Sequence, residues 1–185
     1  MSVAAVVLAA GGGRRFDVAG HKLRAPFRGS TVIGSSIAAA LAAGLDQTFV
    51  VTGAVELGDL LPDAVTVVVN PRWEDGLATS LRAGVAAAGA AGHEAVVIGL
   101  GDQPLVTPAC WRAVAASESP LATASYGGER RPPVRLAREV WEDLPTAGDS
   151  GARRLLGSRP DLVEAVACTG EAADIDTWED LRAWS

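Results

Sequence analysis

Short apolar runs rich in β-forming residues, at 2–8, 47–52, 64–70 and 95–100, alternate with stretches rich in Ala and Leu. Strand-length runs separated by helix-length segments are the pattern of parallel βαβ units. The helical candidates are 33–43, 76–88 and 108–116, the last opened by Thr107 as N-cap with Pro108 at the first helical position. This alternation predicts an α/β fold: three layers, helices on both faces of a mostly parallel sheet.

After residue 117 the rhythm loosens, broken by Pro120, Gly127-Gly128, Pro132-Pro133, Gly148 and Gly151. Residues 121–126, 134–136 and 163–167 read as strands, and 178–184 as a terminal helix begun by Thr177, with Glu179 and Asp180 in its first turn. With 185 residues, 49% of them apolar and 21% charged, the chain suits a single domain over 1–185 and is not a disordered polymer.

Charge and composition remove several functions. A net charge of −6 and a pI near 4.9 leave no broad basic surface for nucleic acid. No apolar run approaches the roughly 20 residues that span a bilayer, and Met1-Ser2-Val3 lacks the basic opening of a secretory signal, so no membrane partner and a cytoplasmic location are expected. Two cysteines do not make a disulfide scaffold; Cys110 and Cys168 read as ordinary thiols of a reducing compartment, with Cys110 buried and inert on its helix. His21 and His93 have no adjacent nucleophile and orienting Asp, which argues against a hydrolytic triad.

The first strand runs into Ala9-Ala10-Gly11-Gly12-Gly13-Arg14-Arg15. That is the carboxyl edge of a buried strand, where open α/β sheets bind ligands. Glycines let backbone N–H groups approach phosphate oxygens closely, and arginines add charge-assisted hydrogen bonds, so the loop suits a polyphosphate. It is neither a Walker A loop, since Lys22 stands in Gly20-His21-Lys22-Leu23 with no Ser or Thr after it, nor a dinucleotide fingerprint, since Phe16 holds the third glycine's place. Lys22 is the sole lysine beside fifteen arginines, and its position after the loop favours phosphate contact over a solvated loop residue.

A carboxylate, Asp102 in Gly101-Asp102-Gln103-Pro104, ends the fourth run. First and fourth strands are often neighbours at the switch point of such sheets. Asp102 then faces the glycine loop as an oxygen ligand for Mg2+, the alternative being a plain turn aspartate. In Asp174-Ile175-Asp176-Thr177 both carboxylates share one side if the segment is extended, serving the metal or capping the helix that follows. Gly148-Asp149-Ser150-Gly151-Ala152-Arg153-Arg154 joins a turn, a helix start and two arginines, an anion site or a surface turn. Of the tryptophans, Trp73 alone lies in a loop at the ligand edge, while the other four suit packing.

Taken in order, 8–15 with Lys22, Asn70-Pro71-Arg72-Trp73-Glu74-Asp75-Gly76, Thr79-Ser80-Leu81-Arg82-Ala83-Gly84, Gly101-Asp102-Gln103-Pro104, Gly148-Asp149-Ser150-Gly151-Ala152-Arg153 and Asp174-Ile175-Asp176-Thr177 resemble the MobA-like nucleotidyltransferases, most of all their molybdenum cofactor cytidylyltransferase (MocA) type. The resemblance spans the chain. It implies a Rossmann-like nucleotidyltransferase fold, with 1–117 as nucleotide-binding half and 118–185 as acceptor-side extension. The implied activity moves a nucleoside monophosphate, CMP from CTP, onto the phosphate of the molybdenum cofactor and releases pyrophosphate.

By the same resemblance, Leu8, Ala9, Ala10, Gly11, Gly12, Gly13, Arg15, Lys22, Asn70, Thr79, Ser80 and Arg82 contact the nucleotide. Arg15, Lys22 and Asp102 carry the chemistry, Asp102 and Asp176 hold Mg2+ with Asp174 the less favoured ligand, and Gln103, Asp149 and Arg153 face the acceptor. A molybdoenzyme or its chaperone is the implied protein partner. The sequence departs from the family at Asp17, in two extra residues before Lys22, and in Arg131-Pro132-Pro133-Val134 where Gly-His-Pro-Val is usual. The last change touches the acceptor pocket and keeps other phosphorylated acceptors open, a sugar 1-phosphate or a phosphorylated small acid, as well as a non-catalytic nucleotide- or cofactor-binding partner of a molybdoenzyme.

Overall fold

The computed structural model describes residues 1–13, 16 and 20–185. Seven strands form one sheet in the order β5-β4-β1-β6-β8-β7-β9, with β1 Val3–Ala9, β4 Gln47–Thr52, β5 Thr66–Val69, β6 Ala95–Leu100, β7 Leu121–Tyr126, β8 Glu129–Ala137 and β9 Val163–Ala167. A small antiparallel pair, β2 Pro26–Phe27 and β3 Ser30–Thr31, stands apart. Only β8 runs against the main direction, pairing antiparallel with β6 and β7, so the sheet is mostly parallel as the alternation predicts.

β1 is buried along its length because it is flanked on both sides, in parallel, by β4 and β6. Successive residues of a strand point to opposite faces, and β1 divides accordingly. Val3, Ala5 and Val7 join one core with Ile33 and Ile37 of α1 (Val32–Ala42), Trp111 of α3 (Pro108–Ala115) and Leu181 of α5 (Trp178–Trp184). Ala4, Val6 and Leu8 join the other with Leu81 and Val85 of α2 (Leu77–Ala90) and Leu155 of α4 (Arg153–Ser158). These are the three expected layers.

Local chemistry sets the boundaries. Thr31 and Thr107 cap α1 and α3 by accepting the Gly34 and Cys110 N–H groups, and Pro108 occupies the first turn of α3 as read from the sequence. α2 starts at Gly76, whose φ of 102° excludes most side chains and whose absent Cβ makes room for the Gly148 backbone, 2.5 Å from where that atom would lie. Two readings were too short or too long: strand 64–70 contracts to Thr66–Val69, and 134–136 extends to the nine-residue β8, the second arm of a hairpin turned by Gly127-Gly128.

The cysteine reading is overturned. Cys110 and Cys168 form a disulfide, with Cα atoms 5.3 Å apart. β9 pairs in parallel with β7, and the Cys168 N–H donates to the Ser125 carbonyl at 2.9 Å, which carries Cys168 to the α3 face of the sheet. Among the described residues no helix is long and apolar enough to cross a membrane.

Candidate active site

β1 and β6 are paired in register at Leu8 and Leu100, and the Gly101 N–H donates to the Leu8 carbonyl at 2.9 Å. The glycine loop and Asp102 therefore leave the sheet side by side. The Ile175 N–H donates to the Asp102 carbonyl at 2.8 Å, fastening the acidic segment to the same edge. Thr177 is the N-cap of α5, closing a reciprocal capping box with Asp180. Thr177 thus caps the helix, while the Asp176 carboxylate turns to Lys22.

Lys22 joins the two carboxylates. Its Nζ donates to Asp102 Oδ2 at 2.6 Å and to Asp176 Oδ1 at 2.7 Å. Burial works against its charge, but Asp102 and Asp176 outweigh that and hold the ammonium above the ordinary lysine pKa. The turn carrying Lys22 is positioned by His21, whose Nδ1 accepts the Leu23 N–H at 3.3 Å, leaving Nε2–H to donate to the Gly11 carbonyl at 3.0 Å. Burial, with the nearby Lys22 charge adding to it, pushes His21 below the usual histidine pKa against the Gly11 bond. Sequence reasoning missed this positioning role; the adjacency of His21 to the lone lysine was its only signal.

A cavity of about 440 Å³ opens over this edge. Leu8, Ala9, Ala10, Gly11, Gly12, Gly13, Lys22, Ser80 and Asp102 line it, together with Trp73 from the loop after β5. Asn70 and Thr79 instead stand behind its wall: Asn70 Nδ2 donates to Thr79 Oγ1 at 2.9 Å and to Ser80 Oγ at 3.0 Å. Arg82 turns to the Leu144 carbonyl at 3.1 Å and borders neither this cavity nor the next. Arg15 lies outside the described residues, as do Arg14 and Asp17.

A second cavity of about 590 Å³ adjoins the first, sharing Leu8, Leu77, Leu100 and Asp149 with it. Gln103, Asp149 and Arg153 line it, as do Arg130, Arg131 and Asp174. Gln103 Nε2 donates to Asp174 Oδ1 at 2.8 Å, and Arg131 lies 3.4 Å from Asp174 Oδ2. Burial, then the Asp102 charge, raises the Asp174 pKa, opposed by the Gln103 bond. Arg130 entered no sequence reading as a site residue. It reaches the ligand edge only because β8 is antiparallel, which puts its first residues beside the ends of the parallel strands.

Among the described residues no three His, Cys, Asp or Glu form a metal cluster. A pair of carboxylates still suits Mg2+, which is commonly held by one or two carboxylates plus substrate phosphates. Among the described residues Asp102 Oδ1, which is buried, has no hydrogen-bond partner, a lone pair that a cation would use.

The sequence model of the MobA-like NTP transferase domain matches residues 5–164. The chain belongs to this family. The family member is 30% identical to nicotine blue oxidoreductase of Paenarthrobacter nicotinovorans, over 97% of its own length and 94% of the relative's. It is also similar to a nucleotidyl transferase structure from Methanothermobacter thermautotroptrophicus, at 30% identity and a TM-score of 0.86, covering 99% and 96% of the two chains. The manganese complex of Rv0371c from Mycobacterium tuberculosis is 29% identical, with a TM-score of 0.85 and coverage of 100% and 98%. Family and fold make this MobA-like protein a nucleotidyltransferase that takes a nucleoside triphosphate.

Proposed function

We propose that this protein moves CMP from CTP to the phosphate of the molybdenum cofactor, releasing pyrophosphate. The observation that carries the reading is the junction of the two cavities. The glycine-lined one has Lys22 and Asp102 in its wall, and the arginine-bearing one meets it along Leu8, Leu77, Leu100 and Asp149. A triphosphate in the first then presents its α-phosphorus to an anion in the second.

The chain's own contribution is positioning and charge. Backbone N–H groups of Gly11, Gly12 and Gly13 cradle the triphosphate, with Arg15 and Lys22 opposing its charge. Ser80 borders the nucleotide. Asn70 and Thr79 act through it, and Arg82 braces α2 through the Leu144 carbonyl. Gln103, Asp149 and Arg153 meet the acceptor. An acceptor phosphate oxygen forms the new bond to the α-phosphorus as the bond to the β-phosphate oxygen breaks, and the electron pair leaves with pyrophosphate. Because a phosphomonoester has a second pKa of about 6, the acceptor arrives largely dianionic and no general base is required. Asp102 and Asp176 would hold Mg2+, which would supply further neutralisation of phosphate charge.

A second reading keeps the chemistry and changes the acceptor to a sugar 1-phosphate or phosphorylated small acid. It is favoured by Arg131 and Pro132 at the wall of the second cavity, where the family resemblance leads one to expect Gly-His.

The test is pyrophosphate release with Mg2+ and each of CTP, GTP, ATP and UTP, with and without molybdenum cofactor. Release with CTP and cofactor, reduced at least about a hundredfold in Asp102→Asn at unchanged folding, is the expected result. Release with a different acceptor selects the second reading. CTP binding with no release on any acceptor overturns the transferase assignment in favour of a binding partner of a molybdoenzyme or its chaperone.

A further inference from the structure

The two carboxylates assigned to the metal are already bridged by a cation. Lys22 Nζ touches Asp102 Oδ2 and Asp176 Oδ1 at 2.6 and 2.7 Å, and its side chain is only 12% exposed. A divalent ion shared by these carboxylates would compete for the same oxygens, and two cations do not occupy one space. Asp102 Oδ1, meanwhile, is buried and has no hydrogen-bond partner among the described residues, so the ammonium leaves a bond unmade that a more highly charged ion would make.

We infer that Lys22 is an internal counterion that closes the two-carboxylate site to metal until a triphosphate draws the ammonium away, making metal binding conditional on nucleotide. The inference rests on the metal reading given under Proposed function. Lys22 lines the same cavity as Gly11, Gly12 and Gly13, so the phosphates they cradle lie within the space its stem can sweep. Lysine suits this exchange where arginine does not: its ammonium is a point charge on a flexible four-carbon stem, while a guanidinium is a rigid planar fork. The chain uses arginine at every other basic position. In the free protein the ammonium also sets a positive charge against two partly buried carboxylates. Linkage makes the effect reciprocal: the triphosphate strengthens metal binding by the factor by which the metal strengthens triphosphate binding.

The experiment is a Mn2+ titration without nucleotide, followed by the electron paramagnetic resonance signal of free Mn2+. Wild type, Lys22→Met, Lys22→Arg and Lys22→Met/Asp102→Asn are compared. Lys22→Met is expected to bind Mn2+ about tenfold or more tightly than wild type, Lys22→Arg to remain closed, and the double variant to lose the gain. If Lys22→Met unfolds, Mn2+ is expected to restore its circular dichroism at concentrations that leave the wild-type melting temperature unchanged; failure to restore it overturns the inference. Equal binding by wild type and Lys22→Met, lost on Asp102→Asn, also overturns it while leaving the metal reading intact. If no form binds Mn2+ even with CTP added, the metal reading falls and takes the inference with it.

Discussion

Asp149 Oδ1 accepts the Leu77 N–H at 3.3 Å, so a turn residue 72 positions downstream caps helix α2. The adjacent Gly148 carbonyl accepts the Ala78 N–H at 2.9 Å, and together they satisfy two donors that a helix start leaves open. The same carboxylate forms the wall shared by both cavities. One side chain therefore joins the position of α2, which carries Ser80, to the second cavity.

Asp149→Ala should cost about 1 kcal/mol through loss of the cap. Asp149→Asn keeps an acceptor oxygen for Leu77 and should recover most of that stability. If Asp149 meets only the acceptor, both variants raise the acceptor KM and leave the CTP KM unchanged. Denaturant titration with steady-state kinetics checks this, and equal shifts of both KM values would return Asp149 to a purely structural role.

Asn70 presents the converse case. Its side chain donates to Thr79 and Ser80, while Oδ1 accepts the Arg72 N–H at 3.0 Å, all behind the wall of the first cavity. Asn70→Ala leaves buried groups unpaired and should cost roughly 2 kcal/mol. In a domain of this size that is about 4–8 °C of melting temperature. Ser80→Ala, at the cavity wall, should raise the CTP KM with a smaller thermal effect. Matching thermal losses in the two variants would contradict this separation of support from contact.

The parallel core was legible because burial on two faces imposes its own pattern on β1, β4 and β6, and strand ends locate ligand edges without side-chain detail. Asp102 and the glycine loop were found this way. Asn70 and Thr79 were not resolved by the same logic, since sequence puts a polar residue at a strand end but does not say which way its amide turns. Gln103, Arg131 and Asp174 meet because an antiparallel β8 enters between β6 and β7, and no local periodicity encodes that insertion. Lys22 stood out in the sequence as a lone lysine after the glycine loop, whereas its bridge to Asp176 depends on a segment 154 residues away.

The disulfide was illegible because a spacing of 58 residues contains no geometry. It ties α3 to the start of the segment that carries Asp174 and Asp176, while the Thr177 capping box anchors the far end. Cys110→Ser/Cys168→Ser, or reduction of wild type by a dithiol, should lower stability by roughly 2–4 kcal/mol. Unfolding midpoints with and without reductant read this loss, and the double variant must be insensitive to reductant. A wild-type midpoint unmoved by complete thiol reduction would remove the bond from the stability of the fold.

At the opposite edge of the sheet, Asp46 Oδ2 accepts the Val3 N–H at 2.7 Å and the Ser2 hydroxyl at 3.2 Å. The Val3 bond foremost, then Ser2, His93 and the terminal amine, hold the Asp46 carboxyl below its usual pKa against a smaller opposing effect of burial. A carboxylate whose folded pKa is lowered binds fewer protons folded than unfolded. Its stabilisation is complete above the unfolded value of about 4 and is lost as pH falls through the lower folded value. Asp46→Asn keeps an acceptor for Val3 but cannot titrate. Wild type should therefore melt above Asp46→Asn near neutral pH, with the gap closing as acid is added below about pH 4. Parallel melting temperatures, separated by the same interval down to the acid limit, would show that the Asp46 charge contributes nothing to holding Val3 at the start of β1.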